Sequence, residues 1–478
     1  MATKFPNVRG GMPSVSDLLE NPSIRALADR WNRNVVVSGV RSFLDELRTD
    51  LGRRGAEAVW PSLRELAERA ARHIVASQQA SQRPAINATG RFWGTPWIGR
   101  PQCEAALERA FAAGREFVSA PTQPAALPLA GDVESLICRI TGAAAAVAVH
   151  SYAGGLWLAL SAIGSGRDVI VSRGELGDVE LGCPLSKLIA STGTVLKEIG
   201  STNRTSAADY EAAVDERTAA VLTNCPDAFC VIGETASTEL DELVALARDR
   251  ELVLIDALGA GPLVDLPSEI SWPDRSLQGS LAAGASLVLV RGDGLVGGPP
   301  CGILAGDRDI VRQITEQPLF AAWKLDPPRS AALAATLECH QDRSRGESGL
   351  PLIELLATPL ENLRNRGERL APQLALAEGV RSADVVSMLS HCDGLPTPDR
   401  AIRSFGVALS PHNDDIAALE RRLTAAPEPV IGRIEADRLL LDLRTVLPRQ
   451  DQAIVRALAS PPTAAVSHDS AAEATPQG

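Results

Sequence analysis

LVLIDALGAG, residues 252–261, is an apolar run of strand length that ends in a carboxylate and two glycines. It belongs to a series. Upstream, STELDELVALARDR (237–250) carries apolar residues at three- and four-residue spacing, AAVLTNC (219–225) reads as a strand and DYEAAVDERT (209–218) as a helix. The same alternation runs back through TVLKEIG (194–200), PLSKLIASTG (184–193), RDVIVSRG (167–174), AGGLWLALSAIG (153–164), AAAAVAVHS (143–151) and DVESLICRITG (132–142). ASLVLVRGD (285–293) adds one more strand downstream. Strands alternating with helices predict an α/β protein with a mostly parallel sheet covered on both faces. Ligands of such sheets sit outside the carboxyl ends of the strands.

Outward from this core the texture changes. Residues 13–80 read as helices: a cap at Pro13–Asp17, then LLENPSIRALADRW, VVVSGVRSFLDELRTDL and SLRELAERAARHIVASQ. Residues 84–130, rich in Gly, Pro and Trp, read as loop-rich and cleft-lining. Past the Pro-rich WKLDPPRS, a helix AALAATLECHQD leads to three strands, RSFGVALS, EPVIGRI and RLLLDLRTV, of a smaller α/β unit. The organisation expected is a helical domain 1–83, a large α/β domain 84–325, a small C-terminal α/β domain 326–460 and a disordered low-complexity tail 461–478.

Composition bounds the function. No apolar run escapes interruption by Arg, Asp or Gly within roughly 18 residues, so a membrane span is not expected. The N-terminus lacks the apolar core of an export signal, which predicts a cytoplasmic protein. Eight scattered Cys, of which only Cys225 and Cys230 lie close together, give no metal site and read as small buried residues. The net charge of −12 opposes unspecific nucleic-acid binding by the whole molecule, yet residues 1–83 carry twelve Arg and one Lys against nine Asp or Glu. Arg25, Arg30, Arg33, Arg41, Arg48, Arg53 and Arg54 are either a solvated helical face or a footprint for a phosphate backbone. Lysine is scarce: Lys4, Lys187, Lys197 and Lys324 stand beside 43 Arg. Arginine cannot replace a lysine that must act as an amine nucleophile.

Three motifs suggest chemistry. AVHSYAGGLWLAL places small residues and a hydroxyl at a helix N-terminus, where exposed amides suit a phosphate, unless this is an ordinary Gly-softened turn. Asp256, at a strand's carboxyl end, can pair with a protonated pyridine nitrogen or merely cap the next turn. LVLVRGDGLVGGPPCG (287–302) is a strand and a Gly-rich turn approached by a ligand or a neighbouring subunit, or a wide loop.

In order and spacing, residues 13–458 resemble the bacterial L-seryl-tRNA(Sec) selenium transferases, the pyridoxal-phosphate-dependent selenocysteine synthase family. The likeness is carried by MPSVSDLL (12–19), INATG (86–90), VIVSRGEL (169–176), GSTNRT (200–205), LIDALGAGPLVDL (254–266), GDGLVGGPPCGILAG (292–306) and PVIGRIEADRLLLDLRTVLP (429–448). The resemblance implies a fold-type I pyridoxal-phosphate enzyme, a homo-oligomer built as a dimer or ring of dimers, and tRNA binding through residues 25–54. It assigns Ser151, Tyr152 and Ala153 to a phosphate cup, Asp256 to the ring nitrogen, Gly297 and Gly298 to the cofactor turn, and Arg100, Arg173, Asn203 and Arg204 to substrate or anion positions, with Ser172 a family-typical polar position.

The chain also departs from that pattern. The family's Gly-Asp-Lys-Leu-Leu-Gly-Gly-Pro is here GDGLVGGP (292–299), so the Schiff-base lysine is Gly294. Glycine has no amine, and pyridoxal phosphate is left as a hydrogen-bonded, non-covalent ligand if it binds. Lys324 is the one lysine placed to substitute from a cleft loop. The family's Arg/Gly-rich stretch reads PAALPLAG (124–131), and its Lys-Arg-Ala-Leu-Arg run reads FAAWK (320–324). A site for a selenophosphate-like anion needs several cations. The expectation is therefore a family member with lost or altered transferase activity. The rivals are an active pyridoxal-phosphate enzyme using another lysine and a non-catalytic binding or regulatory protein.

Overall fold

The computed structural model describes residues 12–54, 62–77, 83–94, 97, 99–119, 133–180, 182–225, 231–266, 270, 275–342, 349–391, 401–413 and 415–459. The tail 461–478, the PAALPLAG stretch, Lys4, Cys230, Cys392 and the side chains of Arg53 and Arg54 lie outside the described residues. The chain divides into two compact units, Met1–Pro84 and Ala85–Gly478.

Among the described residues the first unit holds four helices: α1 (Val15–Leu19), α2 (Pro22–Ala28), α3 (Arg33–Arg54) and α4 (Leu63–Ser77). The run read as one helix, LLENPSIRALADRW, is divided. Asn21 caps α2 by accepting from Ser23 N–H, and Pro22 at the first helical position cannot continue α1. Val36, Val40, Phe43, Leu44 and Leu47 of α3 form a buried stripe against Leu66, Ala67, Ala70 and Ile74 of α4. Gly39 lets the two helices approach; a Cβ there would lie 2.7 Å from Ile74 Cγ1.

The second unit opens with β1 (Ile86–Asn87), α5 (Glu104–Arg115) and α6 (Val133–Thr141). Its α/β alternation then runs β2 (Ala145–Val149), α7 (Tyr152–Gly164), β3 (Asp168–Ser172), β4 (Asp178–Glu180), β5 (Cys183–Pro184), α8 (Leu185–Ser191), β6 (Val195–Ile199), α9 (Ala207–Ala213) and β7 (Thr218–Asn224). It continues with α10 (Leu240–Asp249), β8 (Val253–Ala257), α11 (Leu277–Ala283), β9 (Leu287–Arg291), β10 (Gly302–Gly306), α12 (Arg308–Thr315) and α13 (Phe320–Trp323). Seven strands form one sheet in the order β2-β10-β9-β8-β7-β3-β6. All are parallel except β10, which pairs antiparallel with both β2 and β9. Gly302 and Gly306 hide β10 from a periodicity reading, yet each sits where a Cβ would strike neighbouring backbone at 2.6 and 2.2 Å. Apolar residues cover both faces, and β7 is buried along its whole length.

The chain closes with α14 (Pro327–Asp342), α15 (Pro351–Ala357), α16 (Leu360–Ala375), β11 (Val380–His391), β12 (Ala401–Pro411), α17 (Ile416–Thr424), β13 (Val430–Ile431), β14 (Arg433–Glu435), β15 (Arg438–Asp442) and α18 (Asp451–Ala459). A second sheet, β11-β12-β15-β14, is antiparallel throughout. Its long strand β11 escapes the sequence reading because ten of its twelve residues are exposed or only partly buried, leaving no clean apolar alternation. EPVIGRI, read as one strand, divides at Gly432 into β13, which pairs with β1, and β14. Among the described residues no helix is long and apolar enough to cross a membrane.

Arg444, 3 % exposed, ties this sheet to α15. Its guanidinium donates to the carbonyls of Arg403, Leu355, Leu356 and Thr358 at 2.7–3.2 Å. Arg444→Met preserves bulk but leaves those carbonyls without donors, so stability is expected to fall by about 3 kcal/mol. Arg444→Lys, which lacks the planar fork, should recover less than half of that loss in urea unfolding.

Candidate functional site

The carboxyl ends of β2, β3, β7, β8 and β9 bring together the turns on which the sequence motifs fall. Asp256 lies near the end of β8, 0 % exposed, directly opposite Thr223 of β7 in the strand register. Its carboxylate is fully engaged by the chain. Oδ1 accepts from Thr223 Oγ1 at 2.6 Å and Arg275 Nη2 at 3.1 Å. Oδ2 accepts from Ser280 Oγ at 2.6 Å and Arg275 Nε at 3.2 Å. A carboxylate offers about four lone-pair sites, and four donors fill them.

Glu175 stands nearby, a residue that the sequence reading quoted inside VIVSRGEL without a role. It accepts from Asn224 N–H at 3.0 Å, and its carbonyl accepts from Asn224 Nδ2 at 2.9 Å. Burial pushes the Glu175 carboxyl up to about 7; the Asp256 charge adds to this, while the Asn224 hydrogen bond and the Arg275 charge oppose it. Only the ends of three separate strands put these groups in one place.

Ser151, Tyr152 and Ala153 begin α7, as the strand–turn–helix reading expects. Ser151 Oγ accepts from Gly154 N–H at 2.9 Å and Ser151 carbonyl from Gly155 N–H at 3.0 Å. Burial raises the pKa of the Glu180 carboxyl, at the end of β4; the Arg291 charge and the nearby amides of Ala153 and Tyr152 act against it. The ring of Trp323 lies against Gly154, where a Cβ would be 2.5 Å from two ring carbons. Tyr152, 1 % exposed, accepts from Gly259 N–H at 3.0 Å through its hydroxyl.

The Gly-rich turn after β9 is closed on the turn after β8. Gly294 is buried, and a Cβ built on it would meet Ala260 Cα and O at 2.6 Å. Leu295 N–H donates to Ala260 O at 2.9 Å, and Gly298 N–H to Gly292 O at 2.8 Å. Gly297, at φ +76°, makes the bend that a side chain would strain. Asp293 is held between two cations, Arg100 Nη1 at 2.5 Å and Arg291 Nε at 3.2 Å.

The remaining sequence candidates meet other partners. Ser172 Oγ and Thr205 Oγ1 are 2.7 Å apart and buried, joining β3 to the GSTNRT loop. Arg173, Asn203 and Arg204 are exposed. Arg173 meets Glu198 at 3.4 Å, Asn203 Nδ2 donates to Glu234 O at 2.8 Å, and Arg204 bridges to Ala236 through its backbone. Lys324 pairs by backbone with Val149 at the end of β2, and its Nζ lies 5.5 Å from the Phe320 ring centroid.

Residues 130–447 match the family model described as L-seryl-tRNA selenium transferase, and residues 12–48 the one described as selenocysteine synthase N terminal. The L-seryl-tRNA(Sec) selenium transferase of Hyphomonas neptunium is 32% identical, covering 94% of this chain and 98% of that protein. Its counterpart from Klebsiella pneumoniae subsp. pneumoniae is 34% identical, covering 93% and 97%. Among solved structures, D-glucosaminate-6-phosphate ammonia-lyase superposes with a TM-score of 0.58 at 21% identity, over 80% of this chain and 97% of that one. The shared fold is that of the fold-type I pyridoxal-phosphate enzymes.

Because the folded-state value of Glu175 lies above the ordinary glutamate value, its contribution to stability is full below about pH 4.5 and is lost as pH rises through 7. Glu175→Gln keeps the Asn224 bond without the charge. Urea unfolding should find the two proteins equal near pH 4.5, with the variant gaining up to about 3 kcal/mol above pH 7.

Proposed function

This chain belongs to the L-seryl-tRNA selenium transferase family, and we propose that it binds tRNA without carrying out lysine-dependent selenium transfer. Gly294 carries this reading. It stands where the family pattern has its lysine, and it has neither an amine nor space for a side chain against Ala260. Pyridoxal phosphate linked to a lysine at that position does not fit the residues present. The other described lysines are engaged elsewhere or face solvent: Lys197 Nζ meets Asp215 at 2.7 Å, Lys324 lies over Phe320, and Lys187 is exposed on α8.

The tRNA half of the proposal rests on the first unit. Arg25, Arg30, Arg33, Arg41 and Arg48 are all exposed. Arg41 and Arg48, seven residues apart on α3, share a side of that helix, and Arg48 alone of the five meets a carboxylate in a described ion pair, Asp45 at 2.6 Å. This unit is net positive in a chain of net charge −12, which localises attraction for a phosphate backbone. A homo-oligomer, as a dimer or ring of dimers, and a cytoplasmic location belong to the same proposal.

Two measurements test it. Purified protein incubated with pyridoxal phosphate and reduced with borohydride is expected to give no dominant adduct on Lys187, Lys197 or Lys324 by mass spectrometry, and no selenium transfer to seryl-tRNA(Sec). A stoichiometric adduct with transfer overturns the reading. Gly294→Lys is expected to melt at lower temperature and still show no transfer, since its Cβ meets backbone. In the second measurement, filter binding of tRNA, the triple variant Arg25→Ala, Arg33→Ala, Arg41→Ala should weaken binding about tenfold or more. Its salt slope should fall by about one for each phosphate contact removed. An unchanged affinity would remove the tRNA half.

A further inference from the structure

We infer that Arg275 is a resident counter-ion to Asp256 and closes that aspartate to the pyridine ring of pyridoxal phosphate. The inference deepens the family reading of this site and rests on its assignment of Asp256 to the ring nitrogen. It concerns binding of the cofactor itself, which loss of the lysine alone does not exclude.

The first observation is how the carboxylate is filled. Arg275 grips it as a fork, Nη2 donating to Oδ1 at 3.1 Å and Nε to Oδ2 at 3.2 Å. Thr223 Oγ1 and Ser280 Oγ each add a bond of 2.6 Å, one to either oxygen. Four donors match four lone-pair sites, so a ring N–H finds no acceptor unless one of them leaves. The hydroxyls are held in place: Thr223 lies across the β7–β8 register from Asp256, and Ser280 is fully buried on α11. Neither carries charge. The guanidinium is what offsets the carboxylate, which is itself 0 % exposed, and a buried carboxylate stripped of its cation is costly. A pyridinium brings the same single charge but one N–H where the fork has two, so the exchange loses a charge-assisted hydrogen bond. The residues present thus leave no place for a ring nitrogen at Asp256.

The second observation is that the backbone around Arg275 is fixed. Arg275 directly precedes Ser276, the buried N-cap of α11. Ser276 Oγ accepts from Gly279 N–H at 2.9 Å and donates to Asp265 Oδ1 at 2.5 Å. Leu277 and Gln278 N–H donate to the carbonyls of Pro262 and Leu263 at 3.0 and 3.1 Å. The loop that leaves β8 after Asp256 therefore pins the start of α11, and that start returns Arg275 and Ser280 to the same aspartate. Arg275 keeps 39 % of its side chain exposed, so it covers the buried carboxylate from the solvent side, where a ligand would have to enter. A tethered cation competes at every encounter. The apparent affinity of a ligand that needs Asp256 is reduced to the fraction of molecules in which Arg275 is lifted away.

Calorimetric titration of the full-length protein tests this with two probes. One is pyridoxine 5′-phosphate, whose alcohol cannot condense with an amine; the other is its analogue with C–H in place of the ring nitrogen. The wild type is expected to bind neither, or both with affinities within about threefold of each other. A wild type that prefers the nitrogen-bearing probe by more than that overturns the inference, and this comparison decides whether or not any variant folds. Arg275→Ala should bind pyridoxine 5′-phosphate at least about tenfold more tightly than the wild type. The carbon analogue should gain nothing, and neither should pyridoxine 5′-phosphate when Asp256→Asn is combined with Arg275→Ala. Arg275→Ala should also melt below the wild type. Ethylguanidinium, which supplies the missing head group, should raise its melting temperature, compete with the nitrogen-bearing probe and leave the wild type unmoved. Should Arg275→Ala not fold, Arg275→Gln, which keeps an N–H donor without the charge, is expected to show a smaller gain that still depends on the ring nitrogen. A folded variant without that gain overturns the inference. Selenium transfer by the wild type would instead count against the proposed function, so the two failures are distinguishable.

Discussion

Every buried backbone N–H, carbonyl and carboxylate must find a partner, and at the carboxyl edge of a parallel sheet that demand is concentrated. Strands end there together, helix N-termini point at the gap, and a ligand ordinarily completes the set. Here the set is completed from within. Asp256 takes Thr223, Ser280 and Arg275; Asp293 takes Arg100 and Arg291; the first turn of α7 takes Ser151. The rest of the arrangement follows, because these partners fix loops: residues 275–280 over β8 and the 292–298 turn against residues 259–261.

The same economy explains why the fold persists while the chemistry proposed for it changes. The core clusters on the two faces of the seven-stranded sheet need only apolar volume, and that volume is supplied by strands the family model still matches over residues 130–447. The polar edge is a separate requirement. It requires that no buried charge or hydrogen-bonding group be left unpaired. Glu175, whose carboxyl burial and the Asp256 charge push up to about 7, is part of that edge.

Much of this was legible in the sequence, and the boundary is instructive. Strands such as VLIDA and LVLVR announce themselves because a fully buried strand is a continuous apolar run. That position 294 carries no amine was legible because it follows from residue type alone. β10 was not, since its glycines answer to close neighbours rather than to a repeating pattern. Glu180 and Arg275 were equally silent. A carboxylate in a short hairpin and an arginine before a helix look like solvated surface, and only the topology sets one at α7 and the other at Asp256. Sequence order likewise gave no sign that Arg100, 193 positions away from Asp293, is its partner.

The contact of Gly294 with Ala260 bears on which residues the position can accept as well as on chemistry. In a close-packed interior, a position without a side chain is filled by whatever lies beside it. With the backbone of residue 260 standing where a Cβ would go, any single substitution at position 294 meets a structure built around a glycine. A side chain could be accommodated there only by a coordinated shift of two turns, 259–261 and 292–298, and of the side chains that hold them, so the position is constrained by its neighbours independently of any chemistry.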